Sequence, residues 1–306
     1  MDFVTFALII DDLVFPDGRT EMGVLGGGGP QAAFGMRLWA ERVGLVGGVG
    51  ADLPAAALEW LAAGGIDIAG LRFSPEFPTP RAWQLLEADG RRTQVWRIPG
   101  PAIAAQLGWR WDRLPLEYRQ AQGYHLGVHP EAPDLDFIRH LQNTGAVVSI
   151  EPFRAPTHNL IKAELRALVS AGHIFSPNQA EAVALVGPGE PLELVERLAA
   201  AGAEIVALRQ GSQGATVYRA DSGETWHIPA LETTVVDPTG AGDAFCGGFL
   251  VGWVQTGELR LAGLYGSVAA SFLVEQVGLP QPRPEIREEA RRRLAMIASR
   301  TRQLEF

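Results

Sequence analysis

The sequence predicts an α/β protein: a doubly wound, mainly parallel sheet with helices on both faces, plus a small β lid. Three observations carry that expectation. Short apolar runs of strand length alternate with helix-period segments along most of the 306 residues, and parallel strands need such crossovers. Between residues 79 and 98 the alternation stops, and two strand-like runs meet at Asp89-Gly90, a strong hairpin signal. The chain is 47% hydrophobic and 20% charged, which supplies ample core, and its length allows two domains or one large α/β domain with an insertion, the latter expected here over residues 1–306.

The elements follow in order. Phe3 to Ile10 is an apolar run of strand length, ended by Asp11 and Asp12. Pro16, Asp17 and Gly18 mark a short hairpin. Gly26-Gly27-Gly28-Gly29-Pro30 opens a helix whose Ala33, Met36, Trp39, Ala40 and Val43 share a face, and proline in the first turn suits that junction. Gly44 to Val49 reads as a strand, Leu53 to Ala63 as a helix and Ile66 to Phe73 as a strand. Arg81 to Ala88 and Arg91 to Ile98 form the hairpin, with Trp83, Leu85 and Val95 on one apolar face. Together with residues 13–25, the segment 75–98 makes the lid. Strands are then expected at Gly123 to Gly127, Ala146 to Glu151 and His173 to Ser176, with helices at Leu135 to Asn143 and Asn159 to Ser170 between them. Ile205 to Arg209 and Ala215 to Arg219 are strands before a helical last third. There Glu288 with Arg292 and Glu289 with Arg293 mark a solvated helix face.

Composition removes several function classes. With 35 acidic against 26 basic residues the net charge is −9, which argues against a nucleic-acid or anionic-membrane partner. A single cysteine, Cys246, excludes an internal disulfide and a Cys-rich metal site. The chain starts near Asp2 rather than a basic segment and has no apolar run approaching ~18 residues, so a cytoplasmic protein is expected. Lys162 is the only lysine, in Leu-Ile-Lys-Ala-Glu. That context fits neither a P-loop nor a protein-kinase strand lysine.

The chemistry concentrates in Val235-Val236-Asp237-Pro238-Thr239-Gly240-Ala241-Gly242-Asp243-Ala244-Phe245. A Gly-Ala-Gly turn before an amphipathic run presents unpaired N–H groups at a helix N-terminus, an anion site. Asp243 in the first turn is either a dipole-favoured helix acid or a general base working beside that anion. This string resembles the second signature of the ribokinase-like, or PfkB, carbohydrate kinases, Asp-Thr-x-Gly-Ala-Gly-Asp. The resemblance implies Asp243 as catalytic base, Gly240, Ala241 and Gly242 as anion hole, Thr239 beside the nucleotide, and Asp237 near a metal or monovalent cation. Pro238 stands where the family has threonine.

Other stretches are similar to the same family at matching positions. Gly27, Gly28 and Gln31 match the first signature, Gly-Gly-x-x-x-Asn-x-Ala, with Gln31 replacing the sugar-contacting asparagine. Gly48-Val49-Gly50-Ala51-Asp52 continues it. Asp12 matches the acid that holds sugar hydroxyls, with Ala7 in place of the glycine five residues earlier; Asp11 reads as a polar strand end. Asn178 and Glu181 resemble the Asn-x-x-Glu motif, placing Glu181 on Mg²⁺ and Asn178 near the ATP phosphates, although the same pair also reads as a helix cap. Arg209, Gly211 and Gly214 match the loop bordering the nucleotide, and Ser267 lies in the small-residue helix lining the adenine pocket. Where the family shows Asp-x-Asn-x-Arg on the acceptor side, this chain has Glu151-Pro152-Phe153-Arg154, and Phe153 makes that side less polar. His125 and His129 flank a strand end and lack a third ligand, so no metal is expected there.

The resemblance therefore implies a kinase using ATP and Mg²⁺, with a monovalent cation such as K⁺, acting on a hydroxyl or hydroxymethyl group of a sugar, nucleoside or similar small molecule. It also allows a homodimer through the lid. Gln31, Pro238 and Phe153 motivate an alternative, a catalytically weak nucleotide- or metabolite-binding regulator on the same fold.

Overall fold

Strand alternation lets one sheet bury two faces at once, and the computed structural model, which describes residues 1–88 and 92–304, is built on that. Asp89 and Gly90, the expected hairpin turn, lie outside the described residues. In chain order the strands are β1 (Phe3–Phe6), β2 (Ile9–Val14), β3 (Thr20–Gly26), β4 (Val43–Gly50), β5 (Ile66–Ser74), β6 (Arg81–Leu86) and β7 (Arg92–Trp96). They continue as β8 (Gly123–Val128), β9 (Val147–Pro152), β10 (Ile174–Phe175), β11 (Ile205–Arg209), β12 (Ala215–Arg219), β13 (Thr225–Ile228) and β14 (Arg302–Gln303). The helices are α1 (Gly29–Arg37), α2 (Ala55–Ala63), α3 (Gly100–Leu107), α4 (Leu135–Gln142), α5 (Lys162–Val169), α6 (Gln179–Val186), α7 (Pro191–Ala201), α8 (Ala241–Thr256), α9 (Leu259–Leu273) and α10 (Ile286–Ile297).

The large sheet has the order β14-β13-β12-β11-β10-β9-β8-β1-β4-β5. Strands β11 through β5 in that order pair in parallel, and β12, β13 and β14 are antiparallel. From β1 the chain winds outward to β4 and β5, then returns to β8 on the other side of β1. That reversal is a topological switch point, and ligands of open α/β sheets bind at the carboxyl ends of the strands there. Alternate residues feed two cores. Phe3, Leu45, Ile174 and Ile205 pack with α1, α8, α9 and α10 on one face. Val4, Val46, Phe175 and Val206 pack with α4, α5, α6 and α7 on the other. No described helix is long and apolar enough to cross a membrane.

The sequence reading is corrected at its first element. Phe3 to Ile10 is not one strand: Ala7 takes a positive φ of 75°, a conformation side chains resist, and the chain turns there out of the large sheet. The segment after it becomes β2, so Asp11 and Asp12 lie inside a strand. A second sheet, ordered β3-β2-β6-β7, therefore begins at Ile9 rather than residue 13. Trp83 stands opposite both Asp12 and Val95. The strand β13 and the helix α3 carried no signal strong enough to anticipate.

Asp12 anchors the outer face of this small sheet. Its fully buried side chain accepts Nε and Nη2 of Arg81 at 2.7 Å each and the Gly23 amide at 2.9 Å, and it also pairs with Arg97. Burial by itself would raise the carboxyl, but the Arg81, Gly23 and Arg97 donors outweigh it and hold it at about 2. A pKa lower when folded than unfolded contributes stability fully above ~4, and that contribution is lost as the pH falls toward 2. Asp12→Asn should therefore cost about 2 kcal/mol at pH 7 and much less near pH 2.5. Thermal melts at both pH values check this, and a difference that does not change with pH would contradict it.

Candidate active site

Two helix N-termini and the carboxyl ends of β1, β8, β9 and β11 converge at the switch point. Gly28, with φ 83°, caps α1, and a β-carbon on it would run into Asp243 Oδ1 on α8. Gly240, left-handed at φ 79°, caps α8, and a β-carbon there would stand 2.5 Å from Gln31 Cγ. Both positions thus require glycine for conformation and for close approach. Gln31 is buried; its Nε2 donates to the Leu25 carbonyl at 3.3 Å, and its Oε1 is a buried oxygen without a partner.

No side chain caps α8. The Ala241 amide is spent on the Pro238 carbonyl at 3.2 Å, which removes it from the expected anion hole. The amides of Gly240, Gly242 and Asp243 remain without a partner at the positive end of the helix. Arg209 lies directly against Gly242, whose missing β-carbon leaves room for Nη1 of the guanidinium. The expected anion site is therefore made of three amides and a cation.

Arg209 belongs to a buried network that the sequence reading did not assign. Its Nη2 donates to the Ser176 carbonyl at 2.7 Å and lies 2.8 Å from Glu151 Oε2 and 3.7 Å from Glu181 Oε2; its Nε has no partner. Glu151 Oε1 is 3.0 Å from Nε2 of His125, whose Nδ1 meets Ser149 Oγ at 3.1 Å. Cys246 Sγ lies 3.6 Å from Glu151 Oε2. Burial would raise Glu151, but Arg209 and His125 overcome it and hold the group low. Asp243 is pushed up, first by burial and then by the Glu151 charge, with Arg92 and Arg209 offsetting only part. Burial also drives the Cys246 thiol well up, so it is inert. His125, Glu151 and Cys246 place their ligand atoms within 4.8 Å of one another, but Arg209 already neutralises the carboxylate that would anchor an ion.

Asn178 and Glu181 form a reciprocal cap on α6: Asn178 Oδ1 accepts the Glu181 amide at 2.9 Å, and Glu181 Oε2 accepts the Asn178 amide at 2.8 Å. The cap engages one Glu181 oxygen and leaves the other without a hydrogen bond. Burial pushes the Glu181 carboxyl up, and Arg209 offsets part of that. Gly211 (φ 58°) and Gly214 (φ 89°) shape the turn after β11. Asp237 is buried; its Oδ1 accepts the Thr239 amide at 2.9 Å, while its Oδ2 is partnerless. Ser267 is buried, and its hydroxyl donates to the Pro229 carbonyl at 2.6 Å.

A scan against protein-family models matches residues 8–286 to the pfkB family of carbohydrate kinases. The chain belongs to that family. Over 249 residues the kinase is 31% identical to the cytidine kinase of Thermococcus kodakarensis, covering 80% of this chain and 85% of that one. Its fold matches Arabidopsis thaliana ribokinase complexed with ribose and ATP, with a TM-score of 0.76 and 21% identity over 96% of this chain and 98% of that one. A protein from E. coli described as a ribokinase II, in complex with ATP and Mg²⁺, gives a TM-score of 0.73 at 18% identity over 96% and 99%.

The kinase departs from the sequence-based site at β2. Asp12 was expected to hold acceptor hydroxyls, but its carboxylate is fully engaged on the outer face of the small sheet. Asp11 is the acid on the inner face. A β-carbon on Gly26 would run into it, Gln84 Nε2 donates to its Oδ1 at 2.7 Å, and burial pushes it up to about 6 despite that bond. Arg92 shares this face, because Asp11 is opposite Ala82 and residues 82, 84 and 86 of β6 lie opposite 96, 94 and 92 of β7. Its charge acts on Asp11, Glu181 and Asp243 together. Phe153 is half exposed beyond the end of β9, edge-on to His129 at 5.6 Å; it is Glu151, two residues earlier, that enters the site. The signal for Asp11 and Arg92 was available in the period-2 alternation of β2 and β7, but alternation does not say which face looks inward.

Proposed function

We propose that the kinase transfers the γ-phosphoryl group of MgATP to a hydroxymethyl group of a nucleoside, with cytidine the first candidate. The observation that carries this is the Asp243 carboxyl standing against Gly28, beside the free Gly240, Gly242 and Asp243 amides and the Arg209 guanidinium. Asp243 takes the hydroxyl proton while the amides and Arg209 steady the charge on the moving phosphoryl group. Positioning supplies most of the remaining barrier reduction. The similarity to a cytidine kinase supports the acceptor class, with Asp11 and the partnerless Oε1 of Gln31 available to ribose hydroxyls.

Glu181 suits Mg²⁺ because that ion keeps most of its waters and needs few carboxylates; bound there, it would neutralise phosphate charge. Asp237 suits a monovalent cation, since its buried Oδ2 lacks a partner. Asn178, Thr239, Gly211 and Gly214 would border the nucleotide. The small sheet would close over the acceptor and exclude water, and half-exposed Val95 on its outer face would suit a homodimer contact.

ADP release measured over a panel of cytidine, other nucleosides, ribose and fructose tests the acceptor class: the highest kcat/KM should fall on a nucleoside, and a clear preference for ribose or fructose would refute that choice. Glu181→Gln should raise the Mg²⁺ concentration for half-maximal rate several-fold, in keeping with a single carboxylate on the ion's water shell, and leave the acceptor KM within about twofold. Mg²⁺ titration of the variant checks it; a change confined to the acceptor KM would contradict the assignment.

A further inference from the structure

This inference rests on the nucleoside acceptor proposed above and names what holds its base. Residues opposite one another in a ladder share a face of the sheet. Asp11, Ala82 and Trp96 stand in one such row across β2, β6 and β7. Asp12, Trp83 and Val95 form the next row on the opposite face, where Arg97 pairs with Asp12 and lies 4.8 Å from the centre of the Trp83 ring. The Trp96 indole is therefore on the inner face with Asp11. Two strand spacings put the Trp96 and Asp11 backbones about 9–10 Å apart, and in that row only the methyl group of Ala82 stands between them. Trp96 is half-buried and packs into neither core. A flat aromatic side chain thus overlooks the space beside the acid assigned to ribose hydroxyls.

Gln84 supplies a second, independent observation. It follows Ala82 on the same face of β6, opposite Gln94, and is only 2% exposed. Its Nε2 donates to Asp11 Oδ1 at 2.7 Å and to Gln94 Oε1 at 3.1 Å. An ionised carboxylate can only accept, which fixes the Gln84 amide with its nitrogen toward Asp11. Oε1 can then only accept in turn, and it is buried without a partner. A buried acceptor with no donor is unfavourable, and a ligand that brings an N–H relieves it.

We propose that Trp96 and Gln84 form the nucleobase subsite of the kinase: the indole stacks on the base, and Gln84 Oε1 accepts a hydrogen bond from an exocyclic amino group, so that cytidine is preferred to uridine. Ribose hydroxyls at Asp11 leave the base one sugar ring further along the small sheet, within reach of both side chains. A carbonyl oxygen in place of the amino group would face Gln84 Oε1 acceptor to acceptor, and both would stay unpaired. Stacking is indifferent to the base, since every base has a π-face. The two contributions are therefore separable: Trp96 sets the affinity for any nucleoside, and Gln84 sets which one is chosen.

Steady-state kinetics with cytidine and uridine tests both parts. Wild type should favour cytidine in kcat/KM by roughly 5–150-fold, the worth of one polar group left unpaired. Gln84→Met should bring that ratio to within about threefold; any disturbance of Asp11 burdens both substrates alike and cancels in the ratio. Trp96→Leu should raise KM for both nucleosides roughly 5–150-fold and leave the ratio in place, and Trp96→Phe, which keeps a ring, should restore most of the loss. A ratio that survives Gln84→Met, or a KM indifferent to Trp96→Leu, overturns the proposal. Should Gln84→Met fail to fold, the wild-type ratio decides, and equal use of cytidine and uridine overturns it. A wild type that phosphorylates ribose or fructose and no nucleoside would instead sink the underlying choice of acceptor.

Discussion

Replacing Asp243 by asparagine should lower kcat by roughly 10²–10⁴-fold, the usual worth of a positioned base, while ATP affinity stays within a few-fold. The amide keeps the shape of the carboxyl against Gly28 but cannot take the proton. Because shape and volume are kept, the fold should survive. Steady-state kinetics with calorimetric ATP binding separates the two effects. Loss of ATP binding in parallel with turnover would move Asp243 from chemistry to nucleotide binding.

The second large effect is expected at Arg209. Arg209→Met leaves Glu151 buried with only His125 and the weakly donating Cys246 thiol beside it and strips a cation from Glu181. Breaking a buried ion pair from one side costs about 3–5 kcal/mol, because the stranded charge stays desolvated. Turnover should also fall roughly 10²–10³-fold, the scale of losing one donor aimed at transition-state charge. The double variant Arg209→Met/Glu151→Gln discriminates between these losses. It should recover most of the stability, having no stranded carboxylate, and none of the turnover. Denaturant melts and kcat measured on all three variants check this. Turnover restored in the double variant would show that Arg209 acts only as a counter-ion.

How much was legible in the sequence depended on whether local pattern or three-dimensional reach decided a role. The Gly-Ala-Gly-Asp string places its groups within one helical turn, so the Asp243 and Gly240 geometry follows from backbone rules alone. The alternation of strands and helices likewise led to the parallel sheet, since connections between parallel strands leave little freedom. Asp11 and Asp12 show the limit. Their side chains lie on opposite faces of one strand, and the choice between them rests on Ala7, whose positive φ redirects the chain into the small sheet. Arg209 and Glu151 are 58 positions apart, and their pairing exists only because β9 and β11 both flank β10. A serine in a small-residue helix suits a pocket wall or a tight packing contact equally well, and nothing local in the sequence pointed to the bond that Ser267 makes to Pro229.

The central claim, phosphoryl transfer from ATP to a nucleoside hydroxymethyl group with Asp243 as base, is tested most directly by following γ-labelled ATP. Wild type and Asp243→Asn are incubated with Mg²⁺ and cytidine at saturating ATP, and the products are separated by mass. The account predicts label on the 5′ hydroxyl of cytidine with wild type and at most about a hundredth of that rate with the variant. Label released only to water, or transferred equally by both proteins, would contradict it.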